Sequence, residues 1–363
     1  MKTGTTTLPL HWGKAPPWLF SRMTRLSREM LLIMLRDYGT REILRRLSDP
    51  CWFQALGCAL GFDWHSSGLT TTVCGALKEA ARVISHETGL FVAGGKGRVS
   101  RKTPEEIMQA QSRLSAPAGK LVYASRMSAK VDSAAVQDGY QLYHHVFFFD
   151  RQGHWAVVQQ GLNYDSRKAR RYHWLSEGTG DFVCDPHAAV CCDERARALN
   201  LVAREGDKNR KAARTLAVEH PDRIVKEAAK IKTLEFPGRH HIVREDIDPK
   251  KLRTILVKTY EARPENFEGL MSLRGIGPKA LRSLALLAEL IYGPPPSYRD
   301  PVRYSYAHGG KDGHPYPVDR ASYDNSISFL KQIVNESRIG ESDKKKAFRQ
   351  LAAFCGHGAE GPA

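Results

Sequence analysis

The sequence predicts an α+β protein, with an N-terminal mixed domain around a central antiparallel hairpin or sheet and an all-α C-terminal bundle. Three observations predict it. Two apolar, aromatic-rich runs, 140–149 and 154–160, flank the turn sequence Asp150-Arg151-Gln152-Gly153, and such a pair reads as a β-hairpin. From about Asp193 the strand-like runs stop and charged segments with helical spacing take over. The length, 363 residues, suits two domains, each long enough to bury a core. The expected division is 1–190 for the mixed domain with a polar pocket, 191–358 for the helical domain, and a loose tail at 359–363.

Charge and cysteine usage narrow the class. Lys and Arg number 55 against 39 Asp and Glu, a net charge of +16 that favours a polyanionic partner. The 7 cysteines are odd in number, two are adjacent, and none forms a C-x-x-C, which argues for free thiols in a reducing compartment. No segment has the form of a signal peptide and no apolar run is long enough for a bilayer, so a cytoplasmic protein without a membrane partner is expected. An oligomer is compatible with all of this.

Taken in order, Trp18 to Tyr38 carries Leu19, Met23, Leu26, Met30, Ile33 and Met34 at helical spacing and stops at Gly39; Thr40 to Leu47 reads as a second short helix. Residues 62–71, Phe-Asp-Trp-His-Ser-Ser-Gly-Leu-Thr-Thr, form a polar cluster between apolar elements, in which Ser67 or Thr70 suits a helix cap and His65 a pocket wall. Leu90 to Ala93 is a short strand that feeds Gly94-Gly95-Lys96-Gly97, which reads equally as a phosphate cradle or a flexible basic loop. Thr103-Pro104 starts a helix. Ser128 to Gln137 is expected to be a helix carrying Lys130 and Asp132 and ending at Asp138-Gly139. The hairpin follows, and polar side chains cluster on it, including His144 and Gln159. Ala169 to Trp174 combines cations with aromatics, a composition that stacks on bases or pairs with phosphates. Further helices are expected at Asp193–Arg204, Lys208–Glu219, Asp222–Lys232, from Asp248-Pro249 onward, at Pro264–Leu273, at Ala280–Ile291 and after Asp319.

The stretch with the most specific chemistry is Leu273-Arg274-Gly275-Ile276-Gly277-Pro278-Lys279. Gly275 and Gly277 form a tight turn between two helices, and Pro278 fits the first turn of the second. Free N–H groups at that helix start seat a phosphate. This is a helix-hairpin-helix, which grips DNA backbone without reading bases.

These residues resemble the hairpin of the endonuclease-three and oxoguanine-glycosylase superfamily. The resemblance implies a DNA glycosylase or AP lyase in which Lys279 is the Schiff-base nucleophile and Asp319, in Tyr316-Pro317-Val318-Asp319, assists it. Arg274, Gly275 and Gly277, with Lys311 in its glycine-rich loop, would hold DNA, and no cofactor is required. Two departures stand out: Arg274 replaces the family's proline, and Lys279 and Asp319 are 40 residues apart, longer than the usual gap. An alternative is a nuclease dependent on Mg2+ or Mn2+ with its site in the N-terminal domain. Asp138 and the hairpin loosely resemble a restriction-type core, with His65, Asp132, Asp138, His144 and Gln159 as candidates and Asp132 and Asp138 as metal ligands. A third is a non-catalytic nucleic-acid-binding protein. The segments 62–71, 94–97, 138–145 and 309–313 together resemble an archaeal and bacterial family known only as a domain of unknown function, number seven-six-three, which implies no activity.

Overall fold

The structure is a computed structural model that describes residues 15–62, 67–192, 197–231, 249–302 and 320–357. In chain order the elements are α1 (Pro17–Ser48), α2 (Pro50–Ala59), α3 (Ser67–Thr88), β1 (Leu90–Lys96), α4 (Thr103–Gln109), α5 (Ala118–Lys130), β2 (Val136–Gln137), β3 (Gln141–Asp150), β4 (Trp155–Asn163), β5 (Lys168–Leu175), β6 (Ala189–Cys191), β7 (Leu199–Asn200), α6 (Asp207–Ala217), α7 (Pro221–Ile231), α8 (Pro249–Ala262), α9 (Phe267–Ser272), α10 (Pro278–Tyr292), α11 (Arg320–Glu336) and α12 (Glu341–His357). The protein is therefore α+β with an antiparallel sheet.

Local sequence explains most of these boundaries. Gly39, at φ +75°, breaks the path of α1 where the apolar spacing ends, so the two expected helices are the halves of one element. Asp49 caps α2 by accepting from the amides of Cys51 and Trp52, with Pro50 in the first turn. Asn266 caps α9 by accepting from Gly269 N.

Five strands pair antiparallel in the order β1-β3-β4-β5-β6, and β2 and β7 form a separate small ladder. Both faces of the large sheet are covered. One face carries Leu90, Val146, Phe148, Ala156 and Val158 into a core with α1, α2, α3, α11 and α12. The other carries Phe91, Phe147, Phe149, Trp155, Val157, Tyr172 and Trp174 into a core that continues through α5 to α6, α8, α9 and α10. Double coverage is why the middle strand β4 is buried from Trp155 to Leu162.

Several sequence expectations change at this level. Residues 199–200, expected inside a helix, form β7, because Leu199 and Asn200 pair with Gln137 and Val136. The helix expected at 128–137 is the end of α5 followed by a π-helical turn, Val131–Ala135, and then β2. The cationic-aromatic segment 169–174 is the interior strand β5; Arg170 and Arg171 are buried, so neither reaches a nucleic acid. Gly94-Gly95-Lys96 completes β1, and the Gly94 amide donates to Glu106 Oε2 while its carbonyl accepts from Lys78 Nζ, both at 2.7 Å. Those backbone groups are spent on the fold and cannot cradle a phosphate.

Gly94 is also a steric requirement. At φ +95°, an added Cβ would lie 2.2 Å from the carbonyl oxygen of His145 on the neighbouring strand. Gly94→Ala should destabilise the protein by roughly 3 kcal/mol, the upper range for forced overpacking. Denaturant unfolding reads this directly, and an unchanged midpoint would contradict the described β1–β3 packing.

Candidate functional site

Strand alternation sorts the polar side chains of the sheet into two rows. From the turn inward the register runs unbroken, so that His145 pairs with Gln159 and His144 with Gln160; the irregularity at Tyr143 shifts only the pairs beyond it, Leu142 with Gly161 and Gln141 with Leu162. Directly paired residues share a face. His145, Gln159 and Tyr172 therefore form one row, and His144, Gln160 and Arg171 form a row on the opposite face.

The first row is a closed hydrogen-bond network. The π-helical turn after α5 holds Asp132, whose carboxylate accepts from Gln159 Nε2 at 2.5 Å, Trp174 Nε1 at 3.0 Å and His187 Nε2 at 2.5 Å. With its amide nitrogen on Asp132, Gln159 can only accept through Oε1, so His145 donates to it from Nδ1 at 2.8 Å. His145 Nε2 is then left to accept from the Ser125 hydroxyl at 2.8 Å. Burial holds the His145 pKa below its ordinary value, and the neutral ring fits this tautomer. Ser125, His145 and Gln159 are lined up like a nucleophile, a base and its orienting group. Ser125 is only 2% exposed, however, and the network is sealed within the core.

Beside it lies a buried ion cluster. Arg170 donates to Asp138 at 2.8 Å and to both carboxylate oxygens of Asp300 at 3.1 and 2.9 Å. Asp138 also accepts from the Tyr172 hydroxyl at 2.7 Å and from the Tyr140 amide at 3.0 Å. Burial raises the Asp138 pKa, against the pull of Arg170 and Tyr172.

The opposite row is less complete. Arg171 donates to Thr70 Oγ1 and Gln54 Oε1, so Thr70 anchors a strand rather than capping a helix. Gln160 donates to Ser67 O at 3.0 Å and to the Tyr143 hydroxyl at 2.5 Å, and its Oε1 has no partner among the described residues. His144 is 1% exposed and neither ring nitrogen has a partner among the described residues. Burial, followed by His145 and Lys96, pushes its pKa down to about 3.

These positions decide which sequence candidates converge. Asp132 meets Gln159, but Asp138 belongs to the Arg170 cluster and His144 lies across the sheet. His65 falls outside the described residues. Asp132 and Asp138 turn their carboxylates to protein donors, an arrangement that does not fit a metal site, and no group of three or more His, Cys, Asp or Glu among the described residues is arranged to hold a metal. Arg170, Tyr172 and Trp174, read in sequence as a nucleic-acid contact, belong to these buried clusters, and His145, which hairpin alternation pairs with Gln159, takes the place expected for His144. His187 had no comparable signal, because it reaches Asp132 from a loop far along the chain.

His187 also lines a polar cavity of about 90 Å³, together with Asp185, Asn200, Glu205, Arg299 and Asp300. Its Nδ1 makes no hydrogen bond among the described residues.

The 273–279 stretch forms the connection between α9 and α10. Gly275 takes φ +89°, and Ile276 is fully buried while Arg274, Gly275 and Lys279 are exposed. No side chain caps α10. Gln137 fixes the start of this helix: it donates to Pro278 O at 2.8 Å and accepts from Arg282 Nε at 2.7 Å. Two lysines close on the turn. A Cβ at Gly275 would lie 2.8 Å from Lys258 Nζ, and Lys130 has its pKa lowered by burial and by Lys258. Neither lysine has an ion-pair partner among the described residues. Lys279 is exposed on the turn. Asp319 and Lys311 lie outside the described residues.

The fold and these sites define an α+β protein with a doubly covered antiparallel sheet and a glycine turn ringed by cations. The chain belongs to the family described as "Protein of unknown function (DUF763)", whose family model matches residues 4–318. No curated protein and no solved structure matches it. Among the described residues no helix is long and apolar enough to cross a membrane.

The unpartnered His144 gives a test with a defined sign. From its ordinary value of 6.5 down to about 3, the unfolded chain binds a proton that the folded ring refuses, so stability falls as pH drops through that window. His144→Leu should remove up to one proton of that slope. At neutral pH it should stabilise by about 1–2 kcal/mol by deleting unsatisfied buried groups. Urea midpoints between pH 4 and 8 check both, and an unaltered slope would show that His144 titrates normally.

Proposed function

We propose that this protein is a DNA-processing or repair protein that grips the sugar–phosphate backbone through the 273–279 turn. In this reading α9 and α10 are the two arms of a helix-hairpin-helix packed with α6 and α8, and the protein works in the cytoplasm. One observation carries the reading: Lys258 Nζ sits against the Gly275 turn, near enough to Lys130 to disfavour its charge, and neither lysine has an ion-pair partner among the described residues. Keeping two cations close costs free energy that an anion recovers. The uncapped start of α10 supplies N–H groups and a positive dipole end at the same place. Arg274 and Lys279, exposed on the turn, reach the flanking phosphates.

Two chemistries remain attached to this grip. In the lyase reading Lys279 attacks the sugar C1′ of an abasic site and Asp319 assists; the exposure of Lys279 favours a phosphate contact instead. In the hydrolytic reading the acting group is His187, oriented by Asp132, because it lines a polar cavity and its Nδ1, without a hydrogen bond among the described residues, can take a proton from water there. That reading differs from a nuclease with Mg2+ or Mn2+ on Asp132 and Asp138, both of which are engaged by protein donors.

Fluorescence anisotropy with a labelled duplex tests the grip. The logarithm of affinity should fall linearly with the logarithm of salt, and Lys130→Ala with Lys258→Ala should flatten the slope by about 2, near 0.9 per released phosphate contact. A wild-type affinity that ignores salt would refute the grip. Borohydride trapping on an abasic duplex in EDTA reads Lys279 separately. The expected result is no covalent adduct, whereas an adduct lost in Lys279→Gln would restore the lyase assignment.

A further inference from the structure

The cations at the turn continue along α5. This helix runs beside α9, and two contacts mark the ends of the shared stretch. At one end the Tyr123 hydroxyl donates to Glu268 Oε1 at 2.5 Å. At the other, Lys130 ends α5 within the electrostatic reach of Lys258, whose Nζ lies beside Gly275. Tyr123, Arg126 and Lys130 follow the i, i+3, i+7 spacing and so share one face of α5. Tyr123 and Arg126 are exposed, and Lys130 is half-buried.

Where this stripe reaches the start of α5 it opens into a cleft of about 390 Å³, lined by Lys120, Tyr123, Trp155, Ser176, Thr179 and Phe182. Three aromatic rings line it. Trp155 and Phe182 are parallel to within 7°, with centroids 6.0 Å apart. Tyr123 meets Phe182 edge-on, at 5.9 Å and 88°. Rings that served only the core would be closed over, yet Tyr123 is 41% exposed at the mouth. Glu268 fixes the hydroxyl and, with Asp181 and Glu265 but also Arg210, Lys211 and Arg214, lines a separate groove of mixed charge.

Aromatic faces beside a line of cations match the two chemical halves of a single-stranded nucleic acid, bases to stack and phosphates to neutralise. Seven residues of helix between Tyr123 and Lys130 span about 10 Å, so one short strand can reach both cleft and cations.

We propose that the cleft formed by Tyr123, Trp155 and Phe182 stacks an unpaired nucleobase of the strand whose backbone is held at the 273–279 turn, which makes single-stranded or locally unpaired DNA the preferred partner. The proposal rests on the DNA-binding reading above. It assigns Tyr123 and Phe182 to base stacking and Lys120, Arg126 and Lys130 to the phosphates between cleft and turn.

The test uses the full chain and single-stranded oligonucleotides that carry 2-aminopurine at successive positions, with anisotropy recorded on the same samples. The expected result is quenching of 2-aminopurine on binding, strongest at one or two positions, and weaker quenching in the fully paired duplex. Tyr123→Ala, an exposed site, and Phe182→Leu, which keeps the apolar volume, should each abolish most of the quenching and weaken single-strand binding about tenfold. Both should leave duplex affinity and the circular dichroism melt unchanged. Tight, salt-dependent binding without quenching, or quenching that survives in both variants, overturns the cleft assignment and leaves the backbone grip standing. Absence of binding to any DNA removes the grip and the cleft together.

Discussion

Arg170 is a guanidinium buried in the interior of a β-sheet, and the chain must bring carboxylates to it. An unpaired charge there would cost several kcal/mol, so the segments bearing Asp138 and Asp300 cannot drift away without leaving it exposed to that penalty. The Tyr140 ring, 4.4 Å from the guanidinium carbon, closes the remaining side. Three distant stretches are thereby tied together: β5, the link between β2 and β3, and the chain that follows α10. Two neighbouring contacts complete the attachment of α10. Gln137 holds its beginning, and Asn209 on α6 donates to Ala285 O within it and to Pro294 O beyond it, both at 2.9 Å. The glycine turn at its start is therefore carried on the sheet, in a fixed relation to α5.

The two faces of that sheet do different work. One is sealed around Asp132 and Asp138, whose oxygens are shared among amide, indole, imidazole, phenol and guanidinium donors. Such a network fixes a single arrangement of the core, because displacing any member strands a buried polar atom. The other face is anchored at Arg171 and Gln160 and left incomplete at His144. Surface cations show a similar contrast. Arg41 and Arg45 both pair with Glu177, and Arg36 pairs with Asp37 and with Glu336. The cations along α5 and at the turn have no such ion-pair neighbours among the described residues, so their charge adds to the positive field of a +16 chain.

Much of this was legible in the residues. The β3–β4 hairpin followed from apolar runs around Asp150-Arg151-Gln152-Gly153, and the break in α1 from Gly39. The α9–α10 turn followed from Gly275, Gly277 and Pro278. Each depends on the backbone preferences of a few neighbouring residues, and those are local. Other features misled for a physical reason. Arg170 and Arg171 look like a nucleic-acid contact in sequence, because composition shows their charge but not the carboxylates, hydroxyls and amides folded over them. Gly94-Gly95-Lys96-Gly97 looks like an anion cradle, because its spacing says nothing of Glu106 and Lys78.

By itself the sequence determined the helix-and-sheet class, the pairing of β3 with β4 and the place of the glycine turn, since these arise from interactions between residues close in the chain. Only the tertiary structure decided that Ser125, Asp132 and His187, from a helix, a π-helical turn and a loop, close on the His145–Gln159 pair. It also decided that Lys130, from one half of the chain, comes within electrostatic reach of Lys258 at a turn in the other, and that an aromatic cleft lies about 10 Å along the same helix. No periodicity encodes such meetings; they exist because two cores close on opposite faces of one sheet.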